Sequence, residues 1–204
     1  LAQLIIAERV DNKETVMDAK GHLFTLDQPV LPRKAMLNDR ANVTSSVTAL
    51  DSSFCLFNDE SKADLQNDLH LFFAKEDAVT SGRLILKAKN SWWLDFAFTK
   101  FTELFGSYYP TFVEKQRTSS REKLMRWSAD NGIPLSVYIK TDTTWELLEQ
   151  IPTSGPMALR TFCVPLDLKK HKGNTVEVKI SCGFLNWELD EVSMDYSEQQ
   201  PVVY

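Results

Sequence analysis

The chain has 204 residues, 43% of them apolar and 25% charged, with a formal net charge of −5 at pH 7. That is the composition of an ordinary globular chain, and its acidic balance argues against broad nucleic-acid binding, which needs a surplus of Lys and Arg to neutralise phosphates. With 7 glycines and neither a P-loop nor a Gly-x-Gly-x-x-Gly motif, a phosphate-cradling loop is also excluded.

In chain order, residues 4–10 read as a first strand, followed by strands at 23–26, 43–50 and 54–57 and a compact apolar run at 69–74. Residues 83–89 alternate, with Leu84, Leu86 and Ala88 on one side and Arg83, Ile85, Lys87 and Lys89 on the other. Such alternation predicts a half-buried strand. From 92 to 105 the pattern changes. Asp95, Thr99, Thr102 and Glu103 form one narrow polar stripe at helical spacing, flanked by Trp93, Phe96, Phe98, Phe101, Leu104 and Phe105. Asn90 or Ser91 suits the helix start and Gly106 the position after its end. Ser119-Ser120-Arg121-Glu122 reads as a capping box opening a second helix, which Asn131-Gly132 stops. Strands then return at 135–140, 145–151, 159–166, 175–183 and 187–196, with turns at 141–144, 152–156 and 169–174. Val176, Val178, Ile180 and Cys182 alternate with Glu177, Lys179 and Ser181, the pattern of an antiparallel sheet with one wet face.

Strands this closely spaced, without a βαβ repeat, predict a mostly β protein: an antiparallel β-sandwich of jelly-roll type with two inserted or flanking helices. One domain over 1–204 is expected, with a helical insertion near 91–131. No run of about 18 apolar residues occurs, so no membrane span is expected. A chain that begins with Leu1 rather than Met is expected to be a piece or a mature fragment of something longer.

Cys55, Cys163 and Cys182 form no Cys-x-x-Cys pair, and His22, His70 and His171 lie far apart, so a zinc site is not expected. The cysteines read as small buried apolar residues. A Cys163–Cys182 cross-strand bridge is open but not implied. Glu188, Asp190, Glu191 and Asp195 gather near the end. On a strand, Glu188 and Asp190 share a face, where two carboxylates serve acid–base chemistry or calcium, or simply face water. No Gly-x-Ser-x-Gly elbow is present. Lys169, Lys170, His171 and Lys172 read as a solvated hairpin tip.

The aromatics are the most suggestive feature: Trp92, Trp93, Tyr108, Tyr109, Trp127, Trp145 and Trp187. Large rings fill cores, but exposed Trp and Tyr also stack on sugar faces while neighbouring polar groups hold the hydroxyls. The candidate ligand-binding set is therefore Trp92, Trp93, Asn90, Asp95, Tyr108, Arg126 and Trp187, with no catalytic residue and no metal ligand assigned.

Four stretches carry a resemblance: Lys87-Ala88-Lys89-Asn90-Ser91-Trp92-Trp93-Leu94-Asp95, Glu103-Leu104-Phe105-Gly106-Ser107-Tyr108, Gly132-Ile133-Pro134-Leu135-Ser136-Val137 and Gly183-Phe184-Leu185-Asn186-Trp187-Glu188-Leu189-Asp190-Glu191-Val192. Together, over 83–196, they resemble a C-terminal β-sandwich region of bacterial secreted or surface proteins, similar to galactose-binding-like jelly rolls. The resemblance implies sugar or protein binding through loops at one end of the sandwich, sometimes with a structural calcium as the only cofactor, and an extracytoplasmic location. It assigns no ligand residue. The resulting expectation is a monomeric, non-catalytic binding or interaction module whose partner is a carbohydrate or a protein. The alternatives are a carbohydrate-active hydrolase using paired carboxylates and a purely structural accessory domain.

Overall fold

The computed structural model describes residues 13–61 and 65–198. Alternation decides the layers. On strand β11 (Thr175–Gly183), Val176, Val178, Ile180 and Cys182 are fully buried while Glu177, Lys179 and Ser181 face outward. The same period places Leu69, Leu71 and Phe73 inside on β6 (Gln66–Ala74), and Leu135, Val137 and Ile139 inside on β8 (Leu135–Lys140). These strands join β3 (Lys34–Leu37), β4 (Ala41–Asn42) and β9 (Trp145–Ile151) in a six-stranded sheet ordered β4-β3-β6-β11-β8-β9. The facing sheet has the order β10-β7-β12-β5, built from β10 (Arg160–Asp167), β7 (Ser81–Asn90), β12 (Trp187–Asp195) and β5 (Cys55–Leu56). Every ladder in both sheets is antiparallel.

The strand order defines the class of fold. From β5 to β12 the first and last strands pair in one sheet, the second and the next to last in the other, as a jelly roll requires. The protein is an antiparallel β-sandwich of jelly-roll type. Its core is one cluster drawn from both inner faces, with Leu84, Leu86, Ala88, Leu189, Val192 and Met194 opposite the six-stranded sheet. A smaller cluster of Val16, Leu26, Ile85 and Cys163 lies under the hairpin of β1 (Glu14–Met17) and β2 (Leu23–Leu26). Ile85, on the outward side of an alternating strand, is buried by that hairpin.

Three helices, rather than two, connect β7 to β8: α1 (Trp92–Glu103), α2 (Tyr109–Arg117) and α3 (Arg121–Asp130). Ser91 caps α1 by accepting from the Leu94 N–H, and Ser120 caps α3 by accepting from the Lys123 N–H. The middle helix escapes a sequence reading because Pro110 looks like a breaker. Within the first turn, however, a proline loses no helical hydrogen bond. The strand expected over 43–50 is instead a short 3-10 helix, Thr44–Val47. Asn42 Oδ1 accepts from both the backbone N–H and the hydroxyl of Thr44, a local bond that competes with a sheet ladder. The strand expected over 4–10 lies outside the described residues. A Cys163–Cys182 bridge does not form: the two lie in different sheets, and all three thiols are free and buried.

Candidate functional site

The wet face of the six-stranded sheet is not merely solvated. The β8–β9 turn is closed by the Thr141 N–H donating to Thr144 O at 2.9 Å, reinforced by hydroxyl contacts between the same residues. That turn sets Trp145 opposite Lys140 in the ladder. The indole reaches across the sheet until its centroid is 5.3 Å from the His70 ring, edge to face. Lys179 Nζ lies 5.1 Å and Lys140 Nζ 5.5 Å from the Trp145 centroid, and Lys179 also sits 4.7 Å from the Tyr138 ring. Glu177 ties this group together, with Oε2 2.6 Å from Lys140 Nζ and Oε1 3.3 Å from His70 Nδ1. Cation–π contacts from Lys140 and Lys179 and the His70 ring edge meet the indole, and Glu177 fixes Lys140 and His70 beside it.

Lys140 and Glu177 also line a cleft of about 600 Å³ at the same end of the sandwich. Its other walls are Phe72, the β8–β9 residues Asp142, Glu146 and Leu148, and the β10–β11 loop with Asp167, Lys170, His171 and Lys172. His171 is positioned by its Nε2, 2.9 Å from Thr175 O. The size suits a small ligand. The lining carries both signs of charge, so it offers donors and acceptors side by side, with an apolar floor at Phe72 and Leu148.

The structure does not bring the seven sequence-derived candidates together. Trp187 is a core residue: it is fully buried, and its indole N–H donates to Ile133 O at 2.9 Å. Asn90 is buried too, its Oδ1 accepting from the Ser154 and Gly155 N–H groups, so it anchors a loop. Trp92, Trp93, Asp95, Tyr108 and Arg126 are exposed on or beside the helices. Those helices leave from the end of the sandwich that carries the β9–β10 and β11–β12 connections, since the Asn90 and Ser91 N–H groups bond Gly155 O and Asn186 O. The cleft is at the other end, beside the β8–β9 turn and the β10–β11 loop. Leu94 is the one buried side chain among α1, α2 and α3, so the helical rings do not fill the core, although Trp93 meets Phe184 of the β11–β12 turn edge to face at 6.2 Å.

The terminal carboxylates separate as well. A bulge between Leu189 and Glu191 turns Asp190 inward, where it accepts from the Ser52 N–H at 3.1 Å, while Glu188 pairs with Lys89 at 2.9 Å. Burial pushes the thiols of Cys55 and Cys163 up to about 12 and that of Cys182 well above its ordinary value, which keeps them protonated. Among the described residues no group of three or more His, Cys, Asp or Glu side chains is arranged to hold a metal ion. No helix there is long and apolar enough to cross a membrane.

Trp145 is one of the rings evident in the sequence but lies outside the candidate set, and Lys170, His171 and Lys172 carry only the pattern of a solvated hairpin tip. The signal that pointed to the face was the clean alternation of Glu177 and Lys179 on β11, which marks the outward side but not what crosses it.

The jelly-roll sandwich with this cleft at one end is the class of protein that the geometry defines. No protein-family model matches the chain, and no curated protein matches it. Among solved structures it is similar to that of allantoicase, at 9% identity and a TM-score of 0.39, over 87% of this chain and 49% of that one. The chain therefore spans about half the length of that protein.

Proposed function

We propose that the chain is a non-catalytic binding module that takes a carbohydrate in the cleft beside Trp145. The observation that carries the reading is the shared use of Lys140 and Glu177, which join a pinned indole to a cleft lined by both signs of charge. An indole face supplies the apolar surface that covers the C–H side of a pyranose, and the adjoining ammonium and carboxylate groups bond its hydroxyls. The test is a glycan array on the purified chain, followed by titration of Trp fluorescence with the glycans that register. Binding that Trp145→Ala abolishes supports the reading, and an empty array sinks it. Because Asp142, Glu146, Asp167 and Glu177 line the same cleft, hydrolysis of a bound glycan, read by product release, replaces the module with the hydrolase alternative.

A further inference from the structure

The segment from Trp92 to Trp127 holds eleven of the nineteen exposed large apolar side chains found among the described residues. Trp92 is 57% exposed, Trp93 44% and Leu104 85%, and Phe96, Met125 and Trp127 are about half exposed. Scattered single residues of this kind need no explanation, but a contiguous set marks a surface that something covers. The rings cover one another only in part: Phe105 stacks on Phe112 at 4.1 Å between centroids, and Phe101 approaches Phe112 at 6.0 Å and Trp127 at 6.4 Å, while Trp92, Trp93 and Phe96 stay exposed.

Charge selects the occupant. Residues 92–130 carry six Lys and Arg against five Asp and Glu, and the positive surplus sits on α2 and α3, where residues 109–130 carry five against three in a chain whose net charge is −5. Lys115, Arg117, Arg121, Lys123 and Arg126 are all exposed. Exposed Trp, Tyr and Phe interleaved with Lys and Arg form the pattern of an element that lies in the interface of an anionic bilayer. There, indoles and phenols occupy the headgroup level and cations meet lipid phosphate. A second copy seated by a twofold contact would bring this positive surplus against itself, which disfavours it. Helix α1 has 12 residues and is therefore about 18 Å long, short of the roughly 30 Å hydrocarbon core, so it lies on a bilayer and does not cross it.

We propose that the three-helix segment docks the protein onto an anionic lipid surface, with Trp92, Trp93 and Phe96 entering the interface and Arg121, Lys123 and Arg126 meeting phosphate. This goes beyond the carbohydrate reading and uses the opposite end of the sandwich.

The test is flotation of the whole chain with vesicles of phosphatidylcholine alone or with about one-third phosphatidylglycerol. The expected result is binding to the anionic vesicles, weakened at least about tenfold on pure phosphatidylcholine or when salt rises from about 0.1 to about 1 M. The double variants Trp92→Ala/Trp93→Ala and Arg121→Glu/Arg126→Glu each lose binding while the thermal transition of the sandwich stays in place. Brominated lipid, which quenches indoles at the interface, dims the emission of the unmodified chain, so the outcome does not depend on any variant folding. The proposal is overturned by failure to float at low salt, by equal binding to neutral vesicles, by self-association that hides Trp92 and Trp93, or by a saturable complex with a protein that occupies the same rings.

Discussion

Asp195 and Arg83 form an ion pair at 2.6 Å with both side chains buried, the carboxylate at the end of one central strand and the guanidinium near the start of its neighbour. Burial by itself raises the Asp195 pKa, but hydrogen bonds from Ser197, Arg83 and the Asp27 N–H outweigh it, and the net shift is downward from 3.8. Removing one partner of such a pair strands the other as an uncompensated buried charge. Asp195→Asn should therefore cost about 3–5 kcal/mol of stability, read by denaturant unfolding at neutral pH.

The same pair sets a pH dependence. A depressed folded pKa contributes stability that is complete above the unfolded value of 3.8 and is lost as pH falls through the folded one. Melting temperature should fall below about pH 4, and the acid-side slope should be shallower in Asp195→Asn. An identical slope in the variant rules this residue out as its source.

Gly132 has φ of +60°, and a Cβ placed there would sit 2.5 Å from the Gly183 backbone nitrogen. The Gly183 N–H donates to Gly132 O at 2.8 Å, which locks the end of the helical segment to the β11–β12 turn. Both the left-handed backbone and the close approach exclude a side chain. Gly132→Ala should destabilise the fold by about 2 kcal/mol or more. Gly155→Ala, with a similar φ but open space around it, should cost less.

Trp145 is partly exposed and pinned by neighbours that are themselves on the surface. Trp145→Ala should shift stability by less than about 1 kcal/mol but weaken a bound glycan by about thirtyfold, the loss expected when an aromatic anchor beside the cleft is truncated. Trp187→Ala should do the reverse, costing about 3–5 kcal/mol of stability with no direct effect on binding. Calorimetry and fluorescence titration on the two variants separate the roles.

The three thiols should not react with a thiol reagent at pH 8 in the native protein, because burial pushes Cys55 and Cys163 up to about 12 and Cys182 well above its ordinary value. All three should react once the chain is unfolded. Rapid modification of a native thiol contradicts the packing described for that strand.

Local pattern carried most of the architecture. The two-residue period of Val176, Val178, Ile180 and Cys182, the Ser91 cap and the turn at 141–144 are properties of neighbours in the chain, and they are found where the alternation and turn chemistry put them, while the cap expected from the Ser119–Glu122 box falls one residue later, on Ser120. Thr44–Val47 and α2 diverged because an Asn42 side chain and a first-turn proline changed the local balance in ways that propensity alone does not weigh.

Function depended on distance in space. Whether a tryptophan is core or contact surface is settled by what lies opposite it, and that is set by residues far along the chain. Trp187 meets Phe162 and the Ile133 carbonyl and disappears into the interior, while Trp92 and Trp93, with the same chemistry, stand in the open. Trp145 gains its place from Lys140, Lys179, His70 and Glu177, which lie on three other strands. Residue type and spacing established an antiparallel sandwich with aromatic rings to place. The folding of distant strands against one another assigned each ring to the core, the outer face of the six-stranded sheet or the helical surface, because burial and charge pairing act through space and not along the chain.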